Sequence, residues 1–184
     1  MIRWFLDRQL RDFQRRWGYD VSYARELVAA DPFALIAFGL AGNIGKYRKG
    51  VPAGPHAAVQ LVSLMAEDCG PCAQLGIDMA IEAGIPPAVL RAVAERDFAA
   101  MPAEVALAVR WADASLAHAP EAEEMRDDIV RLWGKRGLIS LAFGLTAGRI
   151  YPTVKYAMGH GRACMRLNIA GEARAVRRTL HVAA

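Results

Sequence analysis

The sequence has little of what a secreted, membrane-spanning or β-rich protein needs. It holds three cysteines in 184 residues, too few for the disulfide framework of a small secreted fold. Its most apolar stretches, Phe33 to Ile44 and Leu138 to Ile150, fall well short of the roughly 20 residues that cross a bilayer, so they read as buried helices. Sustained alternation of apolar and polar residues is nearly absent, which argues against half-buried strands. No long apolar run follows the first basic residue of Met1-Ile2-Arg3-Trp4-Phe5, so a secretory leader is not expected. The expectation is a cytoplasmic protein with no transmembrane segment.

A strong charge of one sign is also missing. The formal net charge is +4, and the positive excess sits at the two ends. Residues 1–17 carry five Arg against Asp7 and Asp12, and residues 162–181 carry five Arg against Glu172. These arginines alternate with apolar residues at helical spacing, the pattern of a solvated face or a subunit contact, so no nucleic-acid partner is expected.

What is present is helical. Apolar residues make up 54% of the chain, and Ala, Leu, Arg and Glu recur at helical spacing. The class expected is all-α: one domain over 1–184, with N-terminal helices in 1–50, a cysteine-bearing core in 51–100 and C-terminal helices in 101–184. Trp4, Leu6, Leu10, Phe13 and Trp17 mark one face of a first helix that Gly18 ends. A second runs from about Ser22 to Ala30, and Asp31-Pro32 starts a third that reaches about Lys46. Helices follow over 56–66, 72–83, 88–98, 102–118 and 121–133. Gly134 and Gly137 bracket a turn, an apolar helix runs from Leu138 to about Tyr151-Pro152, and a basic helix closes the chain.

The chemistry concentrates in Glu67-Asp68-Cys69-Gly70-Pro71-Cys72. Two cysteines at this spacing at a helix start come within reach of a disulfide. The unpaired amides and dipole of the helix N-terminus favour the thiolate, the form that attacks peroxides and disulfides. Thioredoxins carry the same tetrapeptide after a β-strand. Here residues 56–66 before it have helical periodicity and no strand follows, so the likeness is of chemistry and not of fold. The redox reading requires the two sulfurs to be accessible.

A helix, a Cys-x-x-Cys, an apolar helix and a Gly-Ile-Pro turn together resemble the AhpD-like alkylhydroperoxidase branch of the carboxymuconolactone decarboxylase superfamily. The resemblance runs from about Val51 to Pro87, through Cys69 to Leu75, Met79-Ala80 and Ala83-Gly84-Ile85. It implies a compact bundle of about eight helices, no cofactor, and a homo-oligomer, to which the apolar helices with Phe33, Phe38 and Phe143 add greasy surface. It implies a hydroperoxide or a protein disulfide as substrate, a thiol as electron donor, Cys72 as the attacking thiol and Cys69 as its partner. The family's His four residues after the second cysteine is replaced by Gly76, and its Glu about a dozen residues before the first by Ala57. His56, Glu67 and Asp68 are the candidate proton carriers in their place.

Two other readings use the same residues. Cys69 and Cys72 with His160 and Cys164, an i, i+4 pair near the C-terminus, make a Cys₃His set for structural zinc. Alternatively the chain is an inert helical oligomerisation module. Tyr151-Pro152-Thr153-Val154-Lys155-Tyr156 offers aromatic and basic groups for a pocket, or simply packs a helix end.

Overall fold

A computed structural model describes residues 1–161 and 166–175. The all-α bundle expected from the helical spacing is what forms. Among the described residues it has eight α-helices, α1 (Ile2–Trp17), α2 (Ser22–Ala30), α3 (Pro32–Gly42), α4 (Ala53–Ala66), α5 (Gly70–Glu82), α6 (Pro87–Glu95), α7 (Ala103–Leu116) and α8 (Glu121–Ala157). A 3-10 turn over Asn43–Lys46 extends α3. The N-terminal boundaries follow from local chemistry. Gly18 takes the left-handed conformation, φ 61°, and its N–H donates to the Gln14 carbonyl to end α1. Asp31 accepts the Phe33 N–H at 2.9 Å and Pro32 occupies the first helical position of α3, both devices of a helix start.

The main core forms around α4, which packs on α5, α6, α7 and α8. Val59, Val62, Ile77, Leu90, Val93, Val109, Ile129 and Leu141 are fully sealed in it. Each such side chain contributes about 1.5–3 kcal/mol of hydrophobic stabilisation. Small residues set the spacing between α4 and α8: a Cβ at Gly148 would sit 1.8 Å from Oγ of Ser63.

A second cluster stands beside this core. Tyr19, Val21, Tyr23 and Ala24 bury together with Cys69 and Cys72, and Leu10, Phe13, Trp17, Leu35 and Phe38 pack against them. The first 40 residues thus fold over the start of α5.

The C-terminal third keeps the expected break at Gly134 and differs from the expectation beyond it. Helix α8 contains one break, at Gly134 (φ 67°, ψ 179°), and then runs past Tyr151 through a buried Pro152 to Ala157. A mid-helix proline costs about 3 kcal/mol in isolation; burial in the bundle outweighs it here. The closing basic helix is not formed over the described residues. A hairpin stands there instead, β1 (Arg166–Ile169) paired antiparallel with β2 (Glu172–Ala175). Ala170 and Gly171 both have positive φ, 53° and 88°, as a two-residue hairpin turn of the I′ kind requires. Leu167 and Ile169 point into the core while Asn168 faces out. From α5, Gln74 clamps the Asn168 backbone on both sides, donating to its carbonyl at 2.9 Å and accepting its N–H at 2.7 Å. Three alternating residues are too short a signal against an Arg-rich background, and the anchoring comes from α5. Among the described residues no helix is long and apolar enough to cross a membrane.

Candidate redox site

Helix α4 ends at Ala66, and the chain turns through Asp68, whose φ is 55°. Cys69 is then the N-cap of α5, Pro71 lies in its first turn and Cys72 is its third residue. One turn of chain therefore carries both sulfurs, and both are free thiols.

Accessibility is corrected by the structure. Cys69 is 1% exposed and Cys72 3%. The physical reason is the aromatic cover supplied by the N-terminal helices. Phe13, Tyr19, Tyr23, Phe38 and Tyr151 form an edge-to-face chain, with successive ring centroids 6.1, 6.5, 6.2 and 4.9 Å apart, a packing that favours such rings beyond their area alone.

Polar contacts reach the sulfurs from this cover. The Tyr19 hydroxyl lies 3.4 Å from Sγ of Cys72. Nζ of Lys155, on α8, donates to the Tyr19 hydroxyl at 3.3 Å. Lys155 is 3% exposed and sits over the Tyr19 and Tyr23 rings, 4.7 and 5.3 Å from their centroids.

The two thiols are pushed apart in acidity. Hydrogen bonding from the Cys72 side chain holds Cys69 down at about 7. Burial opposes this, the Cys72 backbone N–H and the Lys155 charge assist it, and the Asp68 charge works against it. Cys72 is pushed well up, first by the hydrogen bond it gives to Cys69 and then by burial, with Tyr19 acting the other way. Burial also raises Tyr19 and Tyr23, which stay protonated phenols. Two neighbouring thiols that share one ionisation in this way are what dithiol chemistry needs.

Of the candidate proton carriers, Glu67 is held in an ion pair with Arg149 of α8. Asp68 adjoins Cys69, and its Oδ1 is buried without a partner among the described residues. His56 is not brought to the cysteines. It lies near the start of α4, ten residues and thus about 15 Å along the helix from Ala66, with its ring against Gly144 of α8. His160 bonds Glu26 at 2.7 Å and approaches Ser22 at 3.4 Å. Cys164 lies outside the described residues, and among those described no three His, Cys, Asp or Glu gather to hold a metal. Gly76, where the family has His, is a packing position: a Cβ there would sit 2.6 Å from Cδ1 of Leu64.

Tyr19 and Tyr23 escaped the sequence reading, and Lys155 entered it only as part of an aromatic and basic cluster. No local spacing links residues 19, 72 and 155. Comparison with known families, curated proteins and solved structures finds no match to the chain. The family reading therefore rests on the residues from Val51 to Pro87.

Proposed function

We propose that the chain is a cofactor-free dithiol oxidoreductase of the AhpD-like kind, reducing a hydroperoxide or a protein disulfide with Cys69 and Cys72. The observation that carries this reading is the pair of thiols across one turn at the start of α5, with one sulfur favoured as thiolate. The family resemblance gives the attack to Cys72. Cys69 is the N-cap of α5, where the helix amides favour an anion, and the hydrogen bond from Cys72 acts in the same direction, so we assign the attack to Cys69.

The thiolate takes the terminal OH of R–O–OH, the O–O bond breaks, and the alkoxide takes up the proton that the thiol released on ionising and leaves as ROH. Cys69 is then a sulfenic acid. The Cys72 sulfur attacks it, an S–S bond forms and water leaves. A thiol donor returns the disulfide to the dithiol and is itself oxidised. With a protein disulfide as substrate, the same two sulfurs exchange through a mixed disulfide. Because the closed arrangement covers both sulfurs, this reading requires the aromatic cover to open in each cycle, and a cover that never opens overturns it.

A reducing cytoplasm is the compartment that keeps such a pair as thiols. Assembly into a homo-oligomer is supported by α3, where Phe33 is 67% exposed and Ile36 and Leu40 also face outward.

The test is consumption of an organic hydroperoxide with dithiothreitol as donor. Cys69→Ser and Cys72→Ser are each expected to abolish turnover, and full activity in either overturns the reading. Trapping sulfenic acid in the two variants assigns the attacking sulfur: it is expected in Cys72→Ser and not in Cys69→Ser. Stoichiometric zinc in protein purified without chelator would replace the redox role by a structural one.

A further inference from the structure

A buried ammonium needs an anion or a dense set of acceptors, and among the described residues Lys155 has no carboxylate. Glu67 is taken by Arg149 and Glu26 by His160. Asp78, on α5, is bonded by Gln74, and α3 contributes no titratable side chain. The other groups facing the site are the phenols of Tyr19, Tyr23 and Tyr151, and Asp68 at the turn. The ring faces of Tyr19 and Tyr23 and one hydroxyl are what Lys155 touches. Beside Asp68, whose charge also reaches Cys69, the anion that the Lys155 field acts on is the Cys69 thiolate.

The hydrogen bonds also have a direction. An ammonium only donates, so Lys155 gives a hydrogen to the Tyr19 oxygen. That frees the Tyr19 O–H to donate to Sγ of Cys72, 3.4 Å away, with the Tyr23 hydroxyl as its other neighbouring acceptor. Cys72 in turn lies one turn from Cys69 at the start of α5.

We propose that Lys155, Tyr19 and Cys72 form a one-way chain of donors ending on Cys69, and that this chain replaces a His–carboxylate relay in deciding which sulfur is ionised in each half of the cycle. The proposal rests on the dithiol reading above. In the reduced protein the chain places the negative charge on Cys69. After Cys69 has become a sulfenic acid, the Cys72 proton leaves with the departing hydroxide as water. The Tyr19 O–H is then the donor that stabilises the Cys72 sulfur while it bonds to Cys69. Tyr19 touches a reacting atom; Lys155 acts through it and is a positioning residue.

The experiment is thiolate absorbance against pH on reduced protein carrying Cys164→Ser, in Cys69→Ser and Cys72→Ser backgrounds, with Tyr19→Phe, Lys155→Met and Lys155→Arg added to each. Tyr19→Phe is expected to raise the Cys72 titration by about one pH unit, a tenfold loss of thiolate at fixed pH. The same change leaves the Cys69 titration in place when Cys72 is absent. Lys155→Met raises both titrations, and Lys155→Arg restores part of each shift. An unmoved Cys72 titration in folded Tyr19→Phe overturns the proposal, as do unmoved titrations in folded Lys155→Met. Tyr19→Phe removes a single oxygen, so it remains decisive if Lys155→Met does not fold. Titration is read without turnover, which separates the two ideas. Absent hydroperoxide consumption removes the function and leaves the chain standing; turnover with unmoved titrations does the reverse.

Discussion

The Tyr19 hydroxyl and the Cys72 sulfur are 3.4 Å apart although 53 residues separate them in sequence. That contact ties the N-terminal helices to the Cys-Gly-Pro-Cys turn and makes their packing a gate. Reagents reach the sulfurs only when the gate opens, so labelling reports a local opening equilibrium. Phe13 meets Tyr19 edge-on at 6.1 Å. Removing its ring in Phe13→Ala forfeits about 0.5–1.5 kcal/mol of aromatic contact beyond the lost burial, and each 1.4 kcal/mol is about tenfold in an equilibrium. Alkylation of the native pair by iodoacetamide is expected to be slow in the wild type and roughly tenfold faster in Phe13→Ala, with helical circular dichroism unchanged. Equal rates would show that the cover is not the barrier.

Acidity gives a second expectation. Cys69 is held at about 7 against an ordinary 9.0. An acid with a lowered folded pKa binds fewer protons folded than unfolded, so it contributes stability fully present above the ordinary value and lost as pH falls through about 7. Cys72 is raised, so its contribution has the opposite sign and begins to cost stability above 9.0. With Cys164 replaced by Ser, thiolate absorbance of the reduced protein should show one ionisation per chain near pH 7, the second appearing only with alkaline unfolding. The Tm of the reduced wild type minus that of Cys69→Ser should grow between about pH 6 and about pH 8.5. A gap that shrinks over that window contradicts the assigned thiolate.

The bundle was legible because its signals are local. Asp31-Pro32 and Gly18 fix helix ends by their own backbone chemistry, and the apolar spacing of 56–66 places α4 within three residues of its observed start. The position of the cysteine pair was legible for the same reason. Its cover was not: Tyr19 and Lys155 meet Cys72 only through tertiary packing, and burial depends on helices 50 residues away. The C-terminal hairpin failed on length, since its two strands have four residues each and its anchor, Gln74, lies on α5.

Gly76 stands where the resembled family has histidine, and a side chain there has to displace the end of the Leu64 side chain. A Cβ there would lie 2.6 Å from Cδ1 of Leu64. Gly→Ala inside a helix ordinarily gains about 0.5–1 kcal/mol, whereas overpacking costs about 1–3 kcal/mol. The second effect is expected to win. Gly76→His should lower Tm without raising hydroperoxide turnover. Combining Gly76→Ala with Leu64→Val should give a smaller loss than the sum of the two single changes, because the second removes the clash made by the first. Additive losses in urea titrations would place the cost elsewhere.

His56 is 7% exposed, and its Nε2 has no partner among the described residues. Burial lowers its pKa first and the Arg48 charge lowers it further, while the backbone carbonyls of Tyr47 and Ser140 act in the other direction. A histidine kept neutral by the fold contributes stability that is present above its ordinary 6.5 and lost as pH falls below it, because the unfolded chain gains the proton first. The wild type should therefore lose Tm more steeply than His56→Gln as pH falls from about 7 to about 5. Turnover at neutral pH should be unchanged in the variant, since a side chain about 15 Å along α4 from Ala66 does not reach the sulfurs. A loss of turnover of about tenfold or more with an unaltered Tm would instead make His56 a proton carrier and require α4 to be displaced during the cycle.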